Sequence, residues 1–132
     1  MSRSGYSDDI EDQWAAICYR GAVTSAIKGK RGQAFLKEML TAIEALPEKK
    51  LIYGELEAGG EVCAIGSVGK ARGIDMKGLD PEDIERVARV FGISTALARE
   101  IVYMNDEYWP FNETPEVRHA RMCQWIKEHI RP

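Results

Sequence analysis

The sequence lacks any apolar run of the roughly 20 residues that a membrane-spanning helix needs, so no helical span is expected. Its opening stretch, MSRSGYSDDIEDQW, has no apolar segment of signal-peptide type, and secretion is not expected either. Cysteine is scarce: Cys18, Cys63 and Cys123 are odd in number and widely spaced. That pattern argues against a disulfide framework and fits a reducing cytoplasm. An excess of positive charge is missing as well. The net charge is −3, whereas a general nucleic-acid binder is usually basic overall. Internal repeats, low-complexity segments and linkers are absent.

What is present is an ordinary globular composition, 45% hydrophobic and 30% charged over 132 residues, enough for one domain spanning 1–132 around a single core. The charge alternates along the chain. Residues 1–18 carry −3, residues 19–50 carry +4, and residues 51–69 carry −3. Residues 70–79 then carry +2, residues 80–107 carry −4 and residues 108–132 carry +1. Any basic patch is therefore local.

Apolar periodicity organises the chain into helices. A first helix is expected from Asp9 to Ala26, with Ile10, Trp14, Ile17, Cys18 and Gly21 as its core face. It should fail near Gly29, because glycine is costly inside a helix. A second helix starts near Gly32, buries Phe35, Leu36, Met39, Leu40, Ile43 and Leu46, and stops at Pro47. The period then changes. LIYGELE and EVCAIGSV, separated by AGG, read as a β-hairpin of Leu51–Glu57 with Glu61–Val68. GKARGIDMKG follows as a loop.

Asp80 is the expected N-cap of a third helix, with Pro81 in its first position and Glu82 and Asp83 at the positive end of its dipole. Ile84, Val87, Ala88 and Phe91 should face inward, and Gly92 should end it. A fourth helix runs from Ser94 to Met104 and buries Leu97, Ala98 and Ile101. NDEYWPFNE reads as a loop, and a last helix from Thr114–Pro115 to Ile130 turns Met122, Trp125, Ile126 and Ile130 inward. The expected fold class is α+β: a mainly α-helical single domain of about five helices with one β-hairpin.

Several stretches carry candidate chemistry. Lys28, Lys30 and Arg31 lie among glycines in IKGKRGQAF, and Lys70 and Arg72 lie in GSVGKARG. Backbone N–H groups of a glycine-rich loop before a helix can bind an anion, and two such loops brought together would form a phosphate or nucleic-acid site. Neither matches a P-loop: around Gly69–Lys70, for example, Ala64 and Ala71 stand where that motif needs glycine and a hydroxyl. The plainer reading is a soluble turn between core-packed helices. Ala88, Gly92, Ile93 and Ile101 have helix-turn-helix spacing, which would offer Thr95, Ala96, Arg99, Glu100 and Val102 to DNA. The local charge of −4 would repel phosphate, so this pair reads as a packing unit.

His119 and Cys123 share a helix face, but two donors do not make a zinc site, and no metal or other cofactor is assigned. No nucleophile elbow, triad or paired-carboxylate motif stands out, so no catalytic residue is assigned. The acids of NDE, Asn105–Glu107, sit at a helix end that prefers cations and read as a solvated loop. Tyr108, Trp109 and Phe111 are the candidate protein-interaction residues, because exposed aromatics make interface hot spots.

SGYSDD (Ser4–Asp9), GKRGQAFL (Gly29–Leu36), VGKARGIDM (Val68–Met76), FGISTALAREIVYMNDE (Phe91–Glu107) and ETPEVRHARM (Glu113–Met122) together span nearly the whole chain. In these motifs the chain resembles a group of small uncharacterised proteins of tailed phages and bacterial prophages. The resemblance implies a phage or prophage origin and action in the bacterial cytoplasm. It brings no activity, cofactor or catalytic residue. The leading expectation is a non-enzymatic accessory protein that binds a bacterial host protein, a defence or regulatory component. A nucleic-acid-associated protein using the basic glycine-rich patch is the alternative, and an enzyme acting on a phosphorylated small molecule is the third reading. Two strands alone are marginal in water, so the hairpin is expected to pack against helices or against another chain's strand, the latter giving a homo-oligomer through the hairpin edge.

Overall fold

The computed structural model describes residues 3–4, 13–108 and 112–132. It is mainly helical, with six helices among the described residues rather than about five. In chain order these are α1 (Gln13–Lys28), α2 (Lys30–Glu44), α3 (Ala64–Arg72), α4 (Ile84–Phe91), α5 (Thr95–Asp106) and α6 (Pro115–His129). Two short strands, β1 (Glu57–Ala58) and β2 (Glu61–Val62), precede α3 and pair antiparallel. No helix among the described residues is long and apolar enough to cross a membrane.

α2 forms the centre. α1, α3 and α6 pack on it, while α5 packs on α1, α3, α4 and α6. The stripe read from the sequence does bury Phe35, Leu36, Met39, Ile43 and Leu46, with Leu40 at the margin. α4 likewise turns Ile84, Val87, Ala88 and Phe91 inward, α5 turns Leu97, Ala98 and Ile101, and α6 turns Met122, Trp125 and Ile126. Ile130 is half-buried just past the end of α6. Phe91 meets Phe35 edge-on at 6.4 Å, which joins α4 to α2.

Local signals explain most boundaries. Ser94 and Thr114 cap α5 and α6 by accepting from the N–H groups of Leu97 and Val117. The cap of α4 is Asp83 rather than Asp80. Asp80 instead accepts from Glu82 N within a preceding turn, and Pro81 lies in that turn. Gly92 ends α4 in a Schellman arrangement, with Gly92 N on Arg89 O and Ile93 N on Ala88 O.

The main correction lies between residues 51 and 73. The hairpin is confined to two residues per strand, closed by Gly59 and Gly60 at φ 60° and 84°, as a two-residue type I′ turn requires. Such strands leave little edge for a neighbour. Residues 64–72, expected as strand and then loop, are the helix α3. Cys63 caps it through a thiol that accepts from Gly66 N, and Gly73, at φ 73°, ends it in a second Schellman arrangement. The glycines inside α3 mark close packing. A Cβ on Gly66 would stand 1.9 Å from the carbonyl oxygen of Leu56, whereas one on Gly69 would meet the side chains of Met76 and Phe91. α3 can lie against the hairpin only because position 66 has no side chain.

The two glycines should therefore respond differently to alanine. Gly66→Ala meets rigid backbone and is expected to cost at least the 1–3 kcal/mol typical of overpacking, about the upper end or beyond. Gly69→Ala meets the flexible end of Met76 and should cost clearly less. Equal losses in chemical denaturation would show that the Leu56 contact does not limit the packing.

Candidate functional site

The basic knot resolves into separate parts. α1 stops at Lys28, and Gly29 is the extended N-cap of α2, with no side chain to cap the helix. Gly32 is buried in the corner: a Cβ there would come 1.9 Å from Ala26 O. Gln33, also buried, donates to Ile27 O and His129 O and accepts from Arg131 N, so it ties the ends of α1 and α6 to the start of α2. Lys28, Lys30 and Arg31 are exposed, with no carboxylate partner among the described residues. Lys30 and Arg31 border a cavity of about 220 Å³ with Ser94 and Leu97.

The second basic pair sits elsewhere. Lys70 reaches toward Gly60 O at 3.4 Å and borders a different cavity of about 350 Å³, with Lys50, Glu48 and Glu61. Arg72 is committed to the fold. Its guanidinium forms a two-pronged pair with Glu38 at 2.8 and 2.6 Å, donates to Phe91 O, and lies 5.8 and 5.9 Å from the rings of Phe35 and Phe91. The two basic stretches thus share no cavity, and one of their five cations is already neutralised. The Arg72 hydrogen bond holds the Glu38 carboxyl below its ordinary range, against the opposing effect of burial.

The acids of NDE are not in a loop. Asn105 and Asp106 are the last residues of α5, and all three side chains are used. Asp106 receives Arg3 Nε at 2.8 Å and Nη2 at 2.7 Å, Gly54 N at 3.1 Å and Asn105 Nδ2 at 2.7 Å. Asn105, fully buried, accepts from Ala64 N at the start of α3 and donates to Ile52 O. Glu107 accepts from Ser4 N.

Beneath them Glu113 is clasped by two arginines of α6. Arg121 donates to both of its oxygens at 2.6 and 2.9 Å, and Arg118 approaches at 3.2 Å. The same arginines donate to Met104 O, Asn105 O and Leu51 O, which supplies partners for the last carbonyls of α5. Burial tends to lower the Arg3 pKa. Cys63, Asp106 and the hydrogen bonds to them outweigh that, so the guanidinium is held above its ordinary value. This network is a latch between segments far apart in sequence, and every group in it is occupied by the fold.

Other candidates are absorbed in the same way. The helix that would read DNA packs on α1: Glu100 is buried and paired with Arg20, Val102 is buried, and Arg99 lies 5.7 Å from the Tyr19 ring. The Nε2 of His119 faces Ile43 O at 2.9 Å, where it can only donate, and Cys123 lies 3.9 Å from Nδ1. Among the described residues no group of three or more His, Cys, Asp and Glu is gathered as a metal would need. Tyr108 is exposed and lies against the guanidinium of Arg121 at 5.6 Å. Trp109 and Phe111 lie outside the described residues.

The structure corrects the face of α1. Trp14, Ile17, Cys18 and Gly21, expected in the core, are all exposed, Trp14 by 74% and Ile17 by 55%. Ile10 lies outside the described residues. The buried side is the opposite one: Val23 and Ile27, with Tyr19 and Ala26 at its margin. Helix α1 thus carries two apolar stripes, and the one bearing the tryptophan faces water. The missed signal is that second stripe, which shares the helix with the first. No protein-family model, curated protein or solved structure matches the chain.

Two measurements follow from this geometry. Glu113→Gln leaves two largely buried guanidiniums without their counter-ion and should cost about 3–5 kcal/mol in chemical denaturation; a loss below 1 kcal/mol would mean the latch is dispensable. Because the Glu38 pKa is lowered in the fold, its pair with Arg72 is fully stabilising above the ordinary glutamate value of 4.5 and is lost as pH falls through the lowered value. Glu38→Gln should flatten the acid limb of stability against pH. The effect is small, since both side chains are about a third exposed. An unchanged acid limb would remove the pair from the account.

Proposed function

We propose that this chain is a small phage- or prophage-encoded accessory protein that acts in the bacterial cytoplasm by binding a host protein, with no chemistry of its own, and that the outer face of α1 is its docking surface. The observation that carries this reading is the exposure of Trp14 and Ile17 side by side on one helix face. A large aromatic and a branched aliphatic together are costly to leave in water, and clustered exposed apolar groups commonly mark sites of protein association. Tryptophan is also the residue most enriched among binding hot spots. The absence of chemistry is supported by the fate of the charged side chains: Asp106, Glu113, Arg118 and Arg121 are consumed in the latch, and Arg72 in its pair with Glu38. Defence or regulatory components of the host are the partners that a phage origin suggests.

A pull-down from bacterial lysate after nuclease treatment tests the reading. A stoichiometric host protein should be retained, and Trp14→Ala with Ile17→Ala should reduce its capture at least tenfold while circular dichroism stays unchanged. Retained material consisting only of nucleic acid, lost when Lys28, Lys30 and Arg31 become alanine, would overturn it in favour of the basic corner.

A further inference from the structure

We propose that the cavity where α1, α2 and α5 meet binds the phosphoryl group of a phosphate monoester, with Lys30 and Arg31 as its cations. The cavity holds about 220 Å³ and is bordered by Ser25 in the last turn of α1, by Gly29 to Gly32 at the start of α2, and by Ser94, the N-cap of α5. No carboxylate borders it, whereas the two larger cavities are lined by Glu48 and Glu61 and by Glu55, Glu57 and Asp80. Lys30 and Arg31 are exposed and have no carboxylate partner among the described residues, and Lys28 is a third such cation two residues before them. Uncompensated positive charge therefore gathers at a concave site, where it attracts anions most strongly.

Two helices begin at the same wall. No side chain caps α2, so the N–H groups of its first turn have no partner within the helix. Ser94 accepts from Leu97 N and keeps its hydroxyl proton to donate. Neither helix has an acid in its first turn to occupy its positive end. The end of α1 acts the other way, since helix-terminal carbonyls disfavour an anion. That effect is offset: Ser25 O and Ile27 O are taken by Gly29 N and Gln33 Nε2, and Lys28 lies in the same turn.

Size sets the ligand. The cavity is smaller than the roughly 300–1,000 Å³ of sites that enclose a drug-sized molecule, so it admits a phosphoryl group and leaves the carrier outside. A nucleic-acid strand needs a charged groove that continues along its backbone. Here Lys70 borders a different cavity and Arg72 is held by Glu38. A monoester offers up to two negative charges and three acceptor oxygens at one point, which suits two cations and two helix starts. This inference goes beyond the host-partner reading and uses a separate place, since Trp14 lies about 16 Å along α1 from Ser25.

The test is a titration of the isotope-labelled, nucleic-acid-free protein with inorganic phosphate at fixed ionic strength, followed by its amide chemical shifts. Saturating shifts are expected at both helix starts, at Lys30, Arg31 and Gly32 and at Ser94 and Thr95. Lys30→Ala with Arg31→Ala should weaken binding at least tenfold with the rest of the spectrum retained. Ser25→Glu, which sets a carboxylate at the border, should do the same, while Trp14→Ala with Ile17→Ala should leave binding unchanged. A sugar phosphate and a phosphoserine peptide then separate the two sources of the group: tighter binding of the first assigns it to a metabolite, of the second to a modified protein, and either supports the site. Shifts that fail to saturate, or that spread evenly over the exposed lysines, would mean an adventitious ion only and overturn the site while leaving the host-partner reading standing. A single-stranded oligonucleotide that binds more tightly than every monoester would also overturn it.

Discussion

The last carbonyls of α5 have no partner within their own helix, and the rest of the fold is arranged around supplying them. Arg118 and Arg121 of α6 donate to Met104 O and Asn105 O and also hold Glu113. Asn105 reaches the start of α3 and the strand-like segment at Ile52, and Asp106 holds Arg3. Five segments separated by up to a hundred residues therefore meet at one helix end. In a low-dielectric interior such a network is stabilising only while each member is satisfied. That condition explains why three arginines and two carboxylates can be buried together in a domain of this size.

A second constraint is the closeness of the helices. Gly32 lets α2 lie against the end of α1, and Gly66 lets α3 lie against the backbone of Leu56. In both places the glycine hydrogen replaces a methyl group that would overlap a carbonyl oxygen. The basic character of the surrounding residues is a separate matter. Arg72 is drawn into the core margin by Glu38 and two phenylalanine rings, while Lys28, Lys30 and Arg31 remain at the surface. The knot is therefore first a helix corner, stitched by Gln33, and its cations are an exposed addition to it.

Helix α1 is the element in which packing and recognition separate. One side secures it to α2 and α5 through Val23, Ile27 and the Arg20–Glu100 pair. The other side carries its largest side chain into water. A helix apolar on two sides is either enclosed or in need of a partner, and the host-partner reading follows from that unmet need.

By itself the sequence determined the helices whose apolar residues form one stripe, α2, α4, α5 and α6, and three of their ends, marked by Gly92, Ser94 and Thr114. It also determined the glycine turn of the hairpin. These features depend on neighbours within about four residues, which periodicity and capping express directly. The tertiary structure alone decided three others. It made residues 64–72 a helix, because the glycines there serve close packing, Gly66 against the backbone of Leu56 and Gly69 against Met76 and Phe91. It turned NDE from a solvated loop into a buried latch, because Arg3, which neutralises Asp106, and the α6 arginines, which donate to the carbonyls of Met104 and Asn105, are brought there only by the fold. It chose which apolar stripe of α1 faces the core, because period measures the spacing of side chains and not which side the neighbours occupy.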